Sequence, residues 1–468
     1  LVVSPLISLM QDQVGAARAR GLPAAALNSA LSNAEQRRVL SALAAGGIRI
    51  LYVSPERLRR LAEGLAERAL APALFVVDEA HCISEWGHDF RPAYRLLRRT
   101  RQRLGRPAAL ALTGSATPAV RRDIVESLGL GRGRRLSTVV GSFDRPNLWL
   151  GVVRVASEGD RFGALLGLLR REAGLAIVYA PTRGLTEELA RILGEAGHRA
   201  RPYHAGLDAA TRRETLRLFL ADEIGVVVAT CAFGMGIDKP NVRLVVHWSL
   251  PATPEAYYQE AGRAGRDGGH ARCVLLYRRG DIAVPLRQLE VTFPDQGLTE
   301  AVWRGERDFS CVPRNLHASI QRLRVELHPE RGPVDWTAVR RRRRDARERL
   351  LILERYAEGH GCRRRALLGY FGERLLRCAG CEVCGRAPPA RLPSPGADAR
   401  LRRLRLALAP ARALWGGSLL DPRTLRRLAA HPPETERELA VVPGVGPVVA
   451  AAFSATILRA LRDPGVLA

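Results

Sequence analysis

Over the first 280 residues, short apolar runs alternate with longer amphipathic stretches. The candidate strands are Ile48–Val53, Leu74–Val77, Ala109–Leu112, Ala176–Tyr179, Val226–Ala229, Val242–His247 and Cys273–Tyr277. Most are continuously hydrophobic rather than alternating, which is the pattern of parallel strands covered on both faces. Segments such as Ala34–Ala45 and Thr186–Ala196 keep helical spacing between them. The pattern therefore predicts an α/β layout with ligand sites at the carboxyl ends of the strands. "GSFDRPN" (Gly141–Asn147) interrupts it and predicts a joint between two such units. Beyond about Arg279 the strand signal stops. Residues 281–345 read as irregular and then helical. Asp335 is placed to cap a helix whose Val339, Ala346, Leu350, Leu353 and Ala357 keep near-helical spacing. The Pro-rich stretch "GRAPPARLPSPGAD" (385–398) reads as a linker. The remainder, 399–468, reads as a small helical domain.

A chain of 468 residues should hold about three domains, since domains usually run to roughly 100–200 residues. It is long enough to bury large cores without staples. The 73 basic residues against 47 acidic ones, a formal charge of +26, favour an anionic polymer as partner through counterion release. Lys239 is the only lysine, so the arginine excess also fits a GC-rich coding sequence, and where the charge sits matters more than its total. Four of the eight cysteines fall within Cys362–Cys384. That clustering reads as a metal site in a reducing compartment rather than a disulfide framework. No apolar run reaches the ~20 residues needed to span a bilayer. The opening "LVVSPLISLMQDQV" lacks the basic n-region of a signal peptide and is broken by Pro5. The composition leads us to expect a soluble cytoplasmic protein, with no membrane partner.

Asp78 and Glu79 close the apolar run Leu74–Val77, so their carboxylates are expected to face a crevice. One can hold Mg²⁺ through water while the other orients an attacking water. Taken alone, Asp-Glu-Ala-His also fits a surface turn. Just downstream, "EWGHDFR" gathers Trp86, His88, Phe90 and Arg91, a stacking-and-charge set suited to nucleobases. Cys362, Cys378, Cys381 and Cys384 follow C-x15-C-x2-C-x2-C, enough thiolates for a closed tetrahedral Zn²⁺ site of structural type. Cys82, Cys231, Cys273 and Cys311 read as ordinary buried thiols.

Seven stretches, taken in order, resemble the RecQ family of DNA helicases. "SPLISLMQDQV" (from Ser4) is similar to the family's motif Ia, and "DEAHCISEWGHDFRP" to motif II with its aromatic-rich loop. "LTGSATP" (from Leu112) is similar to motif III, "AIVYAPTR" (from Ala176) to motif IV, and "YHAGL" (from Tyr203) to the segment after it. "ATCAFGMGIDKPN" (from Ala229) and "YYQEAGRAGRDG" (from Tyr257) resemble motifs V and VI. The resemblance implies two RecA-like parallel-sheet domains, 1–143 (incomplete at its start) and 144–280, then an unassigned segment 281–345. "CRRRALLGYFGE" resembles the family's zinc-module helix, giving a module at 346–385 and a linker at 386–398. Residues 399–468 resemble the all-α HRDC domain. In it, the Gly444-Val445-Gly446 turn either presents N–H groups to a phosphate or is simply a tight connection.

By the same resemblance, Asp78 is the Mg²⁺ carboxylate and Glu79 the general base. His81, Ser115 and Thr117 couple hydrolysis to domain movement. Gln259, Arg263 and Arg266 face ATP, with Arg266 as arginine finger, and Gly236 and Asp238 join the nucleotide site. Ser4, Pro5, Trp86, His88, Phe90, Arg91 and Thr230 fall to DNA. "LTGSATP" departs from the family's commoner Ala-Thr but keeps both hydroxyls, so modest consequences are expected. Gly262 and Gly265 beside the arginines imply crowding rather than free surface. The run Arg340–Arg344 can track DNA phosphates, although such runs are usually solvated helix faces.

Two features depart from the pattern. No stretch after the last cysteine is long enough for the winged helix of many relatives, which puts duplex gripping by a wing in doubt. A Walker A loop, G-x4-G-K-[ST], needs a lysine, and Lys239 is followed by Pro240 within motif V. The loop lies upstream of motif Ia in the family, so the chain is expected to be a fragment that hydrolyses ATP poorly alone. Its parent is expected to be an ATP-driven 3′–5′ DNA helicase of repair or recombination, nucleoid-associated in a bacterial cytoplasm, working on single-stranded and branched DNA. The alternative is a non-catalytic DNA-binding protein that lost its P-loop.

Overall fold

The computed structural model describes the chain except residues 6, 29–30, 68–70, 85–90, 132–134, 173, 235–238, 328, 330–331, 333, 386–399, 402–403, 405–406, 409–419, 421–423, 426–427, 430–431, 434, 441, 443–444 and 463–468. Two parallel sheets dominate it. The first has five strands, β1 (Val2–Val3), β2 (Ala24–Leu27), β3 (Ile50–Val53), β4 (Leu74–Val77) and β5 (Ala108–Ala111), in the order β2-β3-β1-β4-β5. Helices α1 (Ile7–Arg18), α2 (Asn33–Ala44), α3 (Pro55–Glu67), α4 (Leu97–Arg103) and α5 (Pro118–Ser127) connect or follow them. The second sheet has six strands, β6 (Leu148–Arg154), β7 (Leu175–Tyr179), β8 (Ala200–Tyr203), β9 (Val226–Ala229), β10 (Val242–His247) and β11 (Ala271–Tyr277), in the order β6-β11-β10-β7-β9-β8. Its helices are α6 (Glu158–Arg171), α7 (Arg183–Glu195), α8 (Ala209–Leu220) and α9 (Pro254–Ala261).

The strand pattern sorts the second sheet's side chains by parity. Leu148, Leu150, Leu175, Ile177, Val245, Cys273 and Leu275 point to one face. Ala176, Val178, Val228, Leu244, Val246 and Val274 point to the other, against α6 and α7. Both faces are covered, which is why these runs carry no polar alternation. The sequence pattern misses β1, β2, β6 and β8. β1 is two residues long, β2 is largely alanine, β6 contains Gly151, and β8 carries Pro202 at the sheet edge, where a missing N–H costs least.

The first face of the second sheet is roofed by the cysteine module. Helix α13 (Trp336–Glu358) and helix α14 (Arg363–Tyr370) contribute Leu353, Tyr356, Ala357 and Leu367, and Phe371 follows them, to one core with β6, β7, β10 and β11. Leu150 forms a parallel bridge with Cys381. Arg364, only 2 % exposed, ties the joint together. It donates to the Asp144 carboxylate and the Leu148 carbonyl, and to the Arg145 carbonyl at 2.9 Å. The "GSFDRPN" joint is thus a fixed strut between module and sheet.

Residues 281–345 hold more helix than their pattern implies: α10 (Ala283–Thr292), α11 (Gln296–Trp303) and α12 (Arg314–Leu327) precede α13. Pro285 lies in the first turn of α10 and Pro313 just before α12, where no helical N–H is lost. Leu323, Trp336 and Val339 form a separate small core with Phe293, Trp303 and Leu327, with Trp303 stacked on Trp336 at 5.7 Å. Asp335 caps α13 as its pattern predicts, accepting from Thr337 N–H at 2.9 Å. Among the described residues of the last part, Leu404, Leu428, Leu439, Ile457 and Leu461 make a core of their own. No helix among the described residues is long and apolar enough to cross a membrane.

Candidate nucleotide site and cysteine centre

Asp78 follows β4 directly, its N–H bonded to Val3 O at 2.9 Å, so it projects from the carboxyl edge of the first sheet. Glu79 then adopts a left-handed backbone, φ 45° and ψ 48°. A non-glycine residue there is strained, and such strain persists only where neighbours enforce it. The enforcing contacts are present. Glu79 N–H donates to Asp78 Oδ1 at 3.0 Å, and Ala80 N–H to Leu112 O at 2.8 Å. Buried Tyr94 donates to Asp78 O at 3.2 Å. The two acids therefore leave one strained turn together, near enough for the charge of Glu79 to act on Asp78.

His81 is buried, with Nδ1 3.0 Å from Thr113 Oγ1 and 3.2 Å from Glu79 Oε2. Thr113 Oγ1 also accepts from Ser115 N–H at 3.4 Å. Ser115 Oγ in turn accepts from Gln259 Nε2 at 2.8 Å. Gln259 belongs to α9 of the second domain, so a chain of contacts runs from Glu79 across the cleft to motif VI. Thr117 does something simpler: its hydroxyl caps α5 by accepting from Val120 N–H at 3.4 Å.

On the far side, Arg263 is buried with its guanidinium packed under Gly234 and within electrostatic range of Tyr179. Arg266 is exposed, within electrostatic range of Arg145. The turn between them is held from outside. Arg145 donates to the carbonyls of Gly262 and Ala264 at 3.1 Å and Gly265 at 3.0 Å. Asn147 donates to Gly265 O and Gly269 O, each at 2.8 Å. The crowding expected at Gly265 is real: φ is +51°, and a Cβ there would lie 2.5 Å from Asn147 Nδ2.

The residues assigned to DNA are placed unevenly. Ser4 is buried and donates to Asp78 Oδ2 at 3.4 Å, so it braces the carboxylate. The Pro5 carbonyl accepts from Arg91 Nη1 at 3.0 Å, which joins motif Ia to the aromatic-rich loop. Thr230 follows β9, its hydroxyl accepting from Ala232 N–H at 3.4 Å. Trp86, His88, Phe90, Gly236 and Asp238 lie outside the described residues. Lys239 is mostly buried and engaged with Leu220 O at 2.7 Å and Asp222 Oδ2 at 3.0 Å, so it is tied to the second domain's own framework. Sequence reasoning assigned no role to Thr113, Gln13, Tyr94, Arg145 or Asn147. All but Tyr94 lay in motifs already quoted, as neighbours of the residues that drew attention.

The four clustered cysteines converge, with every Sγ within 4.8 Å of the others. Tetrahedral zinc with Zn–S bonds near 2.3 Å requires sulfurs about 3.8 Å apart, and Cys381 to Cys362 is 3.9 Å. Burial pushes the Cys381 thiol up, but N–H groups of Cys384, Arg363 and Val383 outweigh it and bring it to about 7. Burial and the neighbouring thiols push Cys378 and Cys384 the other way, so it is the convergence of the four sulfurs that suits a thiophilic divalent metal. Of the other cysteines, Cys82 and Cys273 are buried as expected. Cys231 and Cys311 are exposed, a correction to their reading as core thiols: each sits at a chain reversal and not in an element's buried face.

Three family descriptions match the chain: DEAD/DEAH box helicase over residues 1–124, helicase conserved C-terminal domain over 160–268, and RecQ zinc-binding over 321–385. The chain is 38 % identical over 409 residues to the probable ATP-dependent DNA helicase RecS of Bacillus subtilis, covering 82 % of this chain and 80 % of that protein. It is 36 % identical over 385 residues to the ATP-dependent DNA helicase RecQ of Pasteurella multocida, covering 82 % of this chain and 53 % of that protein. Against the RecQ of Bacillus subtilis it is 44 % identical over 285 residues, covering 61 % and 47 %. The chain thus spans about half the length of these two RecQ relatives.

Burial first, and the charge of Glu79 second, raise the Asp78 carboxyl above its ordinary value, against hydrogen bonds from Glu79 N–H, Ser4 and Gln13. A carboxyl that holds its proton more tightly when folded than unfolded opposes folding at neutral pH. That opposition fades as pH falls through the raised value. Asp78→Asn should therefore raise stability at pH 7, on the order of 1 kcal/mol, with the gain shrinking on acidification. Urea unfolding at several pH values measures it, and a loss of stability at pH 7 would count against the account of this site.

Proposed function

With the chain a member of the RecQ family of ATP-dependent DNA helicases, we propose that it hydrolyses ATP between its two parallel-sheet domains to drive 3′–5′ movement along single-stranded DNA. Unwinding of branched DNA in repair or recombination is the process this serves. The observation that carries the reading is the hydrogen bond from Gln259 to Ser115, because it joins the carboxylate side of the cleft to the arginine side. Asp78 would hold Mg²⁺, which supplies charge for the phosphates. Glu79, on its left-handed turn directly after Asp78, accepts a proton from the attacking water. Exposed Arg266 supplies a cation for the charge developing on the γ-phosphate. His81, touching Glu79 and Thr113, reports the state of that acid to Ser115. Arg91, bonded to motif Ia, belongs to the single-strand path.

The 468 residues contain no G-x4-G-K-[ST] stretch, and the single lysine is tied to Asp222. We therefore expect weak hydrolysis from these residues alone. Measured beside a form with a P-loop-bearing segment joined ahead of Leu1, single-stranded DNA should stimulate hydrolysis in the longer form, and Glu79→Gln there should lower kcat by about 10²–10⁴-fold. Activity in neither form, with DNA binding retained, would favour a non-catalytic DNA-binding protein.

For the cysteine centre we propose one structural Zn²⁺ held by Cys362, Cys378, Cys381 and Cys384, with no ligand position left open for catalysis. Cys381 lies in the core shared with β6 and β11, so losing the metal should loosen the second domain. Elemental analysis should find one zinc per chain. Cys381→Ser should remove it and cost on the order of 4 kcal/mol in unfolding; a metal-free native protein of unchanged stability would overturn the assignment.

A further inference from the structure

The segment 281–345 and the basic start of α13 have no role in the reading above. Six of the eight residues Arg340–Arg347 are arginines. They are not equivalent. Arg342 is buried and paired with Glu326, and Arg340 donates to Gln296 at 2.9 Å, so these two fasten α13 to α12 and α11. Arg341, Arg343, Arg344 and Arg347 are exposed. The fold then brings a further cation to the same place. Arg95, in the short 3-10 turn Pro92–Leu96 of the first domain, lies within electrostatic range of Arg342 and Arg341. Burial first, and Arg342 second, lower its pKa. Glu326 and Asp123 lie within the same range and offset part of that repulsion, while the exposed side chains of Arg341, Arg343 and Arg344 present a cationic face that suits an anionic partner.

The kind of anion follows from what the surface lacks. Between Arg314 and Arg355 the only Trp, Tyr or Phe is Trp336, and it is buried against Trp303. Unstacked bases need exposed rings, whereas the phosphates of a duplex need only cations. Arg95 also lies four residues beyond Arg91, which is bonded to motif Ia. The surface therefore adjoins the single-strand path without duplicating it.

We propose that the basic ridge of Arg341, Arg343 and Arg344, continued by Arg95, docks the duplex arm of a DNA junction through its phosphates. The small helical core of α10–α12 acts as the buttress that holds α13 in place. This rests on the DNA-translocase reading. The test is fluorescence anisotropy of this chain with a labelled single strand and with a fork carrying the same strand as its tail, each over a range of salt.

The unaltered chain should bind the fork more tightly than the tail. Replacing Arg341, Arg343 and Arg344 together by Gln should leave the single-strand Kd within about twofold, weaken fork binding roughly tenfold, and flatten the fork's salt slope by about 2 to 3. Lysine at the three positions should restore most of the fork affinity, since phosphate contacts need charge and not guanidinium geometry. No change in fork binding would make the ridge a solvated helix face. An equal loss on both DNAs would place it in the single-strand path. Either overturns the proposal, as does an unaltered chain that prefers the tail. A chain that binds neither DNA would instead remove the translocase reading on which the proposal stands.

Discussion

Everything proposed for the nucleotide site depends on two sheets meeting in register, and one neutral hydrogen bond marks that register. Gln259 reaches from α9 to Ser115 across the cleft. Without it, Asp78 and Glu79 are two acids on one domain and Arg266 a surface cation on another. A net value of about 1 kcal/mol is typical of such a bond. That is small beside the cores on either side, and it suits a contact that would form and break in the proposed cycle. A buried ion pair at the same place would resist separation.

The stiffness lies behind that bond. Side chains along α9 are tied down: Glu255 accepts from Tyr370 at 2.5 Å, Tyr257 meets the Tyr356 hydroxyl at 3.2 Å, and Tyr258 donates to Phe143 O at 3.0 Å. Glu260 then sits 2.9 Å from His247 Nε2. Tyr356, Tyr370 and Phe371, the last stacked on Phe143 at 4.6 Å, all belong to α13, α14 or the residue after them. The cysteine module is therefore the back wall of motif VI and not an appendage. It also meets the first domain, since a Cβ on Gly372 (φ +80°) would come 2.6 Å from Pro118 Cγ. One module touches both sides of the cleft.

Much of this was legible in the residues. Continuous apolar runs marked the buried strands, and the cysteine spacing anticipated four sulfurs that do converge. What stayed hidden was hidden for physical reasons. Edge strands tolerate proline and alanine, so β8 and β2 carry no strand signature. Prolines stand at the starts of α10 and α12, and those helices were not resolved within a segment read as irregular and then helical. In the site, motif letters pointed to the reacting groups but not to their supports. Arg145 and Asn147 hold the motif VI turn through backbone carbonyls, which leave no trace in a neighbouring sequence pattern. Ser4 was assigned to DNA from its motif, yet it lies against Asp78, because β1 and β4 are adjacent strands and end at the same edge.

The central claim is that the two domains form one site through Ser115 and Gln259. A double-mutant cycle on DNA-stimulated kcat, in a form of the protein that hydrolyses ATP, tests it most directly. Ser115→Ala and Gln259→Ala should each lower kcat, and the double variant should fall no further than the worse single one, a coupling of about 1 kcal/mol. Losses that simply add would mean the two side chains act independently, and the account of a site assembled across the cleft would be wrong.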